Sequence, residues 1–371
     1  MSPRADATAR SGSGSRPLDP RPVLITGGAG FIGTNLAARL LEEGRRVLLF
    51  DNLSRPGVER NLRWLRARHG ERLQVEVADV RDAQRVRAAV AQASQVFHLA
   101  AQVAVTSSLV DPREDFEINL GGTLNVLEAM RGLDAPPSLL FTSTNKVYGA
   151  LEDLEMEATD THYRPRDETL RSRGIAEDRP LDFHSPYGCS KGGADQYVLD
   201  HARSFGLPAA LFRMSCIYGP HQCGNEDQGW VAHFLIRALR GETITIYGDG
   251  RQARDLLFVD DLVDAFLQCQ AQLPALAGRA FNMGGGPGNA LSVRQVLDVI
   301  GALTGCMPRV EYGPWRVGDQ RYYVSDTRAF AAATGWRARV HARDGIERLH
   351  AWLVDEGIAA APRLARRTHA A

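Results

Sequence analysis

Apolar residues fall in short blocks, separated by amphipathic stretches of helical period. Val23-Leu24-Ile25 runs into a turn rich in glycine, Gly27-Gly28-Ala29-Gly30-Phe31-Ile32-Gly33. Leu36, Ala37, Leu40 and Leu41 then recur on one helical face, and Gly44 is placed to end that helix. Val47-Leu48-Leu49-Phe50 is a continuous apolar block that stops at Asp51, the pattern of a strand buried on both faces. Strand, turn, helix and strand make a right-handed βαβ unit. The alternation continues with strands at 73–78, 96–99, 139–141 and 209–214, and helices at 82–93, 114–131 and 186–205. The 139–141 strand ends at Thr142-Ser143-Thr144. This rhythm predicts an α/β fold with a doubly wound parallel sheet.

Two regions break the rhythm. Residues 150–183 are acidic and rich in arginine, with few apolar positions. They read as a long inserted loop near the mouth of the site, either a lid or a plain surface insertion. Residues 219–255 are expected to leave the sheet for a second lobe, with 256–285 returning to it through a helix near 258–270. Residues 286–357 then complete a smaller α/β lobe. The first twenty residues lack an apolar segment and read as a disordered tail; residues 358–371 read as a frayed one.

The glycine turn carries the first chemical signal. Gly27-x-x-Gly30-x-x-Gly33 sits between a strand and a helix. In that context Gly27 allows the tight turn and Gly30 lets the backbone approach a pyrophosphate. Gly33 lets helix and strand pack closely. The first domain, residues 21–218, is therefore read as a Rossmann dinucleotide-binding domain. Asp51 follows Gly33 by 18 residues and ends the next strand. A carboxylate there binds the adenosine ribose hydroxyls and repels a 2′-phosphate, which favours NAD over NADP. Arg55 nearby either softens that preference or is a solvated loop charge. Asp79 and Val80 are placed to meet the adenine edge, although Asp79 equally suits a helix N-cap.

Composition removes other classes. Lys+Arg and Asp+Glu both number 44, so charge gives no argument for nucleic acid or an acidic membrane. No apolar run is long enough to span a bilayer. The five cysteines are widely spaced with no Cys-x-x-Cys pair, which reads as a reduced cytoplasmic protein without a zinc site.

Tyr187 and Lys191 stand four residues apart on the 186–205 helix and share a face. Such a pair is often only a surface contact, but here it follows five βα units. An adjacent ammonium and a positive nicotinamide would lower the phenol pKa, so Tyr187 is expected to act as general base. Lys191 would also hold the nicotinamide ribose. Thr144 lies at the carboxyl edge of the fifth strand, where open α/β sheets bind ligands. Its hydroxyl can hold the reacting sugar oxygen.

These residues, with His98-Leu99-Ala100-Ala101 and Val147-Tyr148-Gly149, resemble the extended short-chain dehydrogenase/reductase family. The resemblance covers residues 21–355 and implies bound NAD and a nucleotide-sugar substrate. It implies cofactor contacts for Phe31, Ile32, Asn52, Leu99, Ala100, Ala101, Asn119 and Ser143. It also implies a homodimer built on the helices near 114–131 and 186–205. In the second lobe, Tyr247 matches an aromatic that stacks on the nucleotide base. Arg254 and Arg316 match diphosphate arginines, and Asp319 a ribose carboxylate.

Dehydratases of this family follow the catalytic Thr with Asp and Glu; here Asn145 and Lys146 occupy those positions. Elimination of water is thus disfavoured and epimerisation favoured. The Thr144-Asn145-Lys146 string and Glu226-Asp227-Gln228-Gly229-Trp230-Val231 resemble 2-epimerases of CDP-linked 3,6-dideoxyhexoses. That likeness adds Asn145 and Gln228 to the substrate contacts. UDP- or GDP-sugar epimerisation at C4 or C2 stays open, as does, more remotely, a non-catalytic dinucleotide sensor.

Overall fold

The computed structural model describes residues 19–316 and 318–357. The two terminal segments read as tails lie outside these residues except for Asp19 and Pro20. Seven parallel strands form the main sheet. Their order is Ala280–Met283, Ala209–Met214, Ser138–Thr144, Gln95–His98, Val23–Thr26, Val47–Asp51, Leu73–Val77. Leaving Val23–Thr26 in both directions puts the topological switch point beside the glycine turn, where such sheets bind ligands. The register sets Thr26 opposite both Phe50 and His98, and Thr144 opposite Met214.

Helices cover both faces. On one, Phe31–Glu42, Val58–His69 and Val259–Ala271 bury Leu36, Leu62 and Phe266 against the strands. On the other, Ala83–Ala91, Gly122–Arg131 and Ser185–Phe205 bury Val86, Val126 and Val198. The helix Val58–His69 has no counterpart in the sequence reading. Its buried apolar residues are Val58, Leu62 and Leu65, spaced by four and three among arginines, with Trp64 partly buried beside them. The expected 114–131 helix is broken into Pro112–Phe116, a π-turn at Glu117–Gly121, and Gly122–Arg131.

The second lobe has its own sheet, in which Ala253–Phe258 pairs with Ala290–Ser292, Tyr322–Tyr323 and Cys216–Tyr218. The chain therefore changes sheets at Ser215 rather than at 218, and residues 256–258 belong to this lobe's sheet. Trp230–Leu239, Val293–Thr304 and Ala342–Asp355 pack over it, burying Leu235, Ile300 and Leu349. Ile244–Tyr247 pairs in parallel with Val310–Gly313 beside them.

Residues 150–183 are not an unstructured loop. Met156–Ala158 and Tyr163–Pro165 form a hairpin, and Glu168–Arg173 is a helix capped by Asp167. Backbone and side-chain hydrogen bonds fasten the segment to the second lobe. The Tyr163 amide donates to Arg251 O (2.9 Å), Ser292 Oγ to Thr161 O (2.7 Å), and Ile175 bridges to Ser325. Polar contacts of this kind leave no apolar period to read.

Candidate active site

A cavity of about 590 Å³ opens at the carboxyl ends of the strands, within the range of small-molecule sites. Its wall holds Gly27, Gly30, Phe31, Ile32, Gly33, Asp51, Asn52, Asp79, Val80 and Leu99. Ala100, Ala101, Ser143, Tyr187, Lys191 and Gln228 complete the predicted residues found there. Asn119, Thr144, Asn145, Tyr247, Arg254, Arg316 and Asp319 do not line it.

The glycine turn fits a dinucleotide. Gly27 has φ +67, and a Cβ there would stand 2.8 Å from Ala100 N. A Cβ on Gly33 would stand 2.6 Å from Gly27 O, so only glycine lets the helix approach. On Gly30 a Cβ would meet only Gly27 O, at 3.1 Å, leaving that side of the turn open to a ligand. The Asp51 carboxylate is held by the amides of Ala29 and Leu53, both at 2.9 Å, and faces the cavity. Asn52 Nδ2 donates to Asp79 Oδ2 (2.8 Å); Arg81 also bonds this carboxylate and helps hold its pKa down to about 2.

His98 is a core residue. Its ring nitrogens meet Thr26 Oγ1 at 2.7 Å and Thr123 Oγ1 at 3.1 Å, and burial lowers its pKa to about 3. Asn119 is likewise internal, donating to Asp115 Oδ1 and Ser190 Oγ, both at 3.1 Å.

Tyr187 and Lys191 occupy the first turns of Ser185–Phe205, entered through Pro186 at N1 or N2. The expected lowering of the Tyr187 pKa counted a positive nicotinamide; in the protein alone the phenol lies above its ordinary value. Burial pushes the phenol up; a hydrogen bond with Thr144 opposes this most, Asp115 adds to the rise, and Arg55 opposes it. Lys191 Nζ donates to Thr142 O (2.6 Å) and lies 4.2 Å from the Phe141 ring centre. Its own burial lowers its pKa to about 7, partly offset by Asp195 and Asp115. Helical spacing puts the two residues on one face, and both line the cavity.

The second-lobe residues pair among themselves. Arg254 Nη2 donates to Asp319 Oδ1 (2.8 Å) and Gln320 O (2.6 Å). The Arg316 guanidinium lies 4.0 Å from the Tyr247 ring centre and 3.4 Å from Asp227. Asn145 Nδ2 donates to Gln320 Oε1 (2.9 Å). Arg55, left undecided by the sequence, reaches across the cavity to Gln228 Oε1 (2.5 Å). Asp115 and Asp195 lie behind the cavity wall and bond residues near it, and sequence reasoning gives neither a role. Ser190 Oγ donates to the first (2.5 Å), and Ser143 Oγ (2.8 Å) and Arg213 Nε (2.9 Å) donate to the second. Asp115 precedes Asn119 by four residues on the helical segment, which is the available signal.

Residues 23–284 match the model of the NAD dependent epimerase/dehydratase family. A CDP-paratose 2-epimerase from Salmonella typhi is 40% identical over 337 residues, covering 89% of this chain and 98% of that one. A UDP-glucose 4-epimerase from Mycolicibacterium smegmatis is 32% identical over 87% of this chain and 95% of its own. The crystal structure of the Thermus thermophilus UDP-glucose 4-epimerase with NAD superposes with a TM-score of 0.73. It is 31% identical and covers 90% of this chain and 99% of that one. The chain belongs to the NAD-dependent epimerase/dehydratase family, the extended short-chain dehydrogenase/reductases. It is an NAD-dependent nucleotide-sugar epimerase, an isomerase acting on carbohydrates.

Proposed function

We propose that the protein inverts C2 of a CDP-linked 3,6-dideoxyhexose, interconverting CDP-paratose and CDP-tyvelose through a transient 2-keto sugar. The observation that carries this reading is the turn after Thr144. Asn145 and Lys146 stand where elimination would require a carboxylic acid and a carboxylate, while Thr144 ends the fifth strand and Tyr187 lines the cavity. The Salmonella typhi relative, with its matched length, supports the substrate class.

NAD, when bound, supplies reversible hydride acceptance at the sugar carbon. Its proposed contacts are the glycine turn, Asp51, and the cavity residues from Leu99 to Ala101. The Tyr187 oxygen takes the proton of the C2 hydroxyl and returns it to the carbonyl oxygen after the sugar turns over. Thr144 holds that oxygen. Lys191, fixed to Thr142 O, lines the wall expected to meet the nicotinamide ribose. Tyr247, Arg254, Arg316, Asp319 and Gln228 are proposed to hold the nucleotide, exchanging their present partners for it. A UDP-sugar 4-epimerase is the second reading, favoured by the Mycolicibacterium smegmatis relative.

A homodimer is part of the proposal. Phe116, Tyr197 and Phe205 are 54%, 46% and 52% exposed on the helices expected to meet a partner. A cytoplasmic setting accords with the five free cysteines. The function is tested by incubating the protein with CDP-paratose, CDP-tyvelose, GDP-mannose and UDP-galactose without added cofactor, and assigning products by NMR. Inversion at C2 of the CDP-sugars is expected; inversion at C4 alone would refute it.

A further inference from the structure

We propose that Lys146 binds the sugar-linked phosphate of the substrate and thereby selects C2 as the reacting carbon. This rests on the C2 reading above. Lys146 lies two residues beyond Thr144, on the short turn Asn145–Tyr148 that Thr144 caps. Its amide donates to Thr144 Oγ1 (3.2 Å), so its backbone is tied to the hydroxyl proposed to hold the reacting sugar oxygen. Its side chain crosses to the other lobe, where Nζ donates to Gly318 O (3.0 Å) and lies 3.7 Å from Asp319 Oδ1.

The same Asp319 oxygen accepts from Arg254 Nη2 at 2.8 Å. Two cations thus share one carboxylate, with only 10% of the Arg254 side chain and 22% of the Lys146 side chain exposed. Among the described residues neither has another acidic partner within salt-bridge distance. One positive charge is left uncompensated in a poorly solvated place, which is costly unless an anion completes it. A phosphate does so, and lysine binds phosphate as a point charge.

Position then decides the carbon. In a nucleotide sugar, C2 is bonded to the anomeric carbon that carries the diphosphate, whereas C4 lies across the ring. A phosphate cation joined to Thr144 by one turn of chain holds the diphosphate close to the reacting oxygen. C2 is the carbon that this arrangement brings there. Two further bonds brace the turn, with Asn145 Nδ2 donating to Gln320 Oε1 and Gln320 Nε2 to Gly149 O (2.6 Å).

The test is calorimetric titration of wild type, Lys146→Met and Lys146→Arg with CDP and with CMP, which lacks the second phosphate. Lys146→Met is expected to weaken CDP about tenfold or more and to leave CMP within about twofold; Lys146→Arg restores most of the CDP affinity. Retained CMP affinity and an unfolding transition near that of wild type show that the variant is folded. Product analysis should show a lower share of C2 inversion in Lys146→Met. If wild type inverts C2 but Lys146→Met keeps the wild-type ratio of CDP to CMP affinity, this proposal fails while the C2 reading stands. If wild type inverts only C4, the C2 reading fails, and carbon selection by Lys146 with it.

Discussion

The buried Tyr187 phenol is the group proposed to take the proton of a sugar hydroxyl. Tyr187→Phe should retain NAD, because the glycine turn and Asp51 are untouched, yet lose about 10²–10⁴-fold in kcat. Cofactor content from protein absorbance and turnover by NMR check both parts; near-normal turnover would contradict the assigned base. His98 gives a second residue-scale prediction. Its folded pKa, about 3, lies below the ordinary 6.5, so the unfolded chain binds the proton more readily. Stability therefore rises with pH across that interval and is lost as pH falls below about 6.5. The urea midpoint should drop between pH 7 and pH 5, and a midpoint independent of pH there would contradict the buried neutral ring. The proposed roles of Tyr187, Lys191 and Thr144 come from readable places, Thr144 at the end of the fifth strand and the other two on the helix Ser185–Phe205. The upward push on the phenol in the protein alone is not readable, because it comes first from burial, which spacing does not specify.

The helix Ser185–Phe205 carries residues of the proposed site near its start and of the proposed dimer face farther along. Tyr187 and Lys191 are buried at its start, while Tyr197 and Phe205 are exposed farther along. Together with Phe116 they form the proposed dimer face. Tyr197→Asp should convert a dimer to a monomer in light scattering at micromolar concentration; a wild-type monomer would contradict this face. The main-sheet strands are legible as blocks such as Val47–Phe50, because a parallel strand buried on both faces needs a continuous apolar run. Val58–His69 is hidden because three apolar residues suffice to dock it among arginines. The hairpin and helix within 150–183 are hidden for a related reason: their few apolar anchors, such as Leu151, Leu170 and Ile175, fall at no regular period, and backbone bonds such as Tyr163 to Arg251 do the rest.

Across the whole molecule, the site is a meeting of two lobes. The cofactor half is legible because the glycine turn and its strand and helix are contiguous in sequence. The substrate half is legible only as separate strings. Arg55 with Gln228, and Lys146 and Arg254 with Asp319, are joined by tertiary folding across long sequence separations. The central claim is that hydrogen leaves and returns at the same carbon, C2, with no net oxidation. CDP-paratose carrying deuterium at C2 tests it most directly, with no cofactor added and the product followed by NMR. The account predicts CDP-tyvelose that keeps its deuterium at C2, formed more slowly than from unlabelled substrate. Deuterium exchanged with water, or inversion at C4 with the C2 label as a spectator, would contradict it.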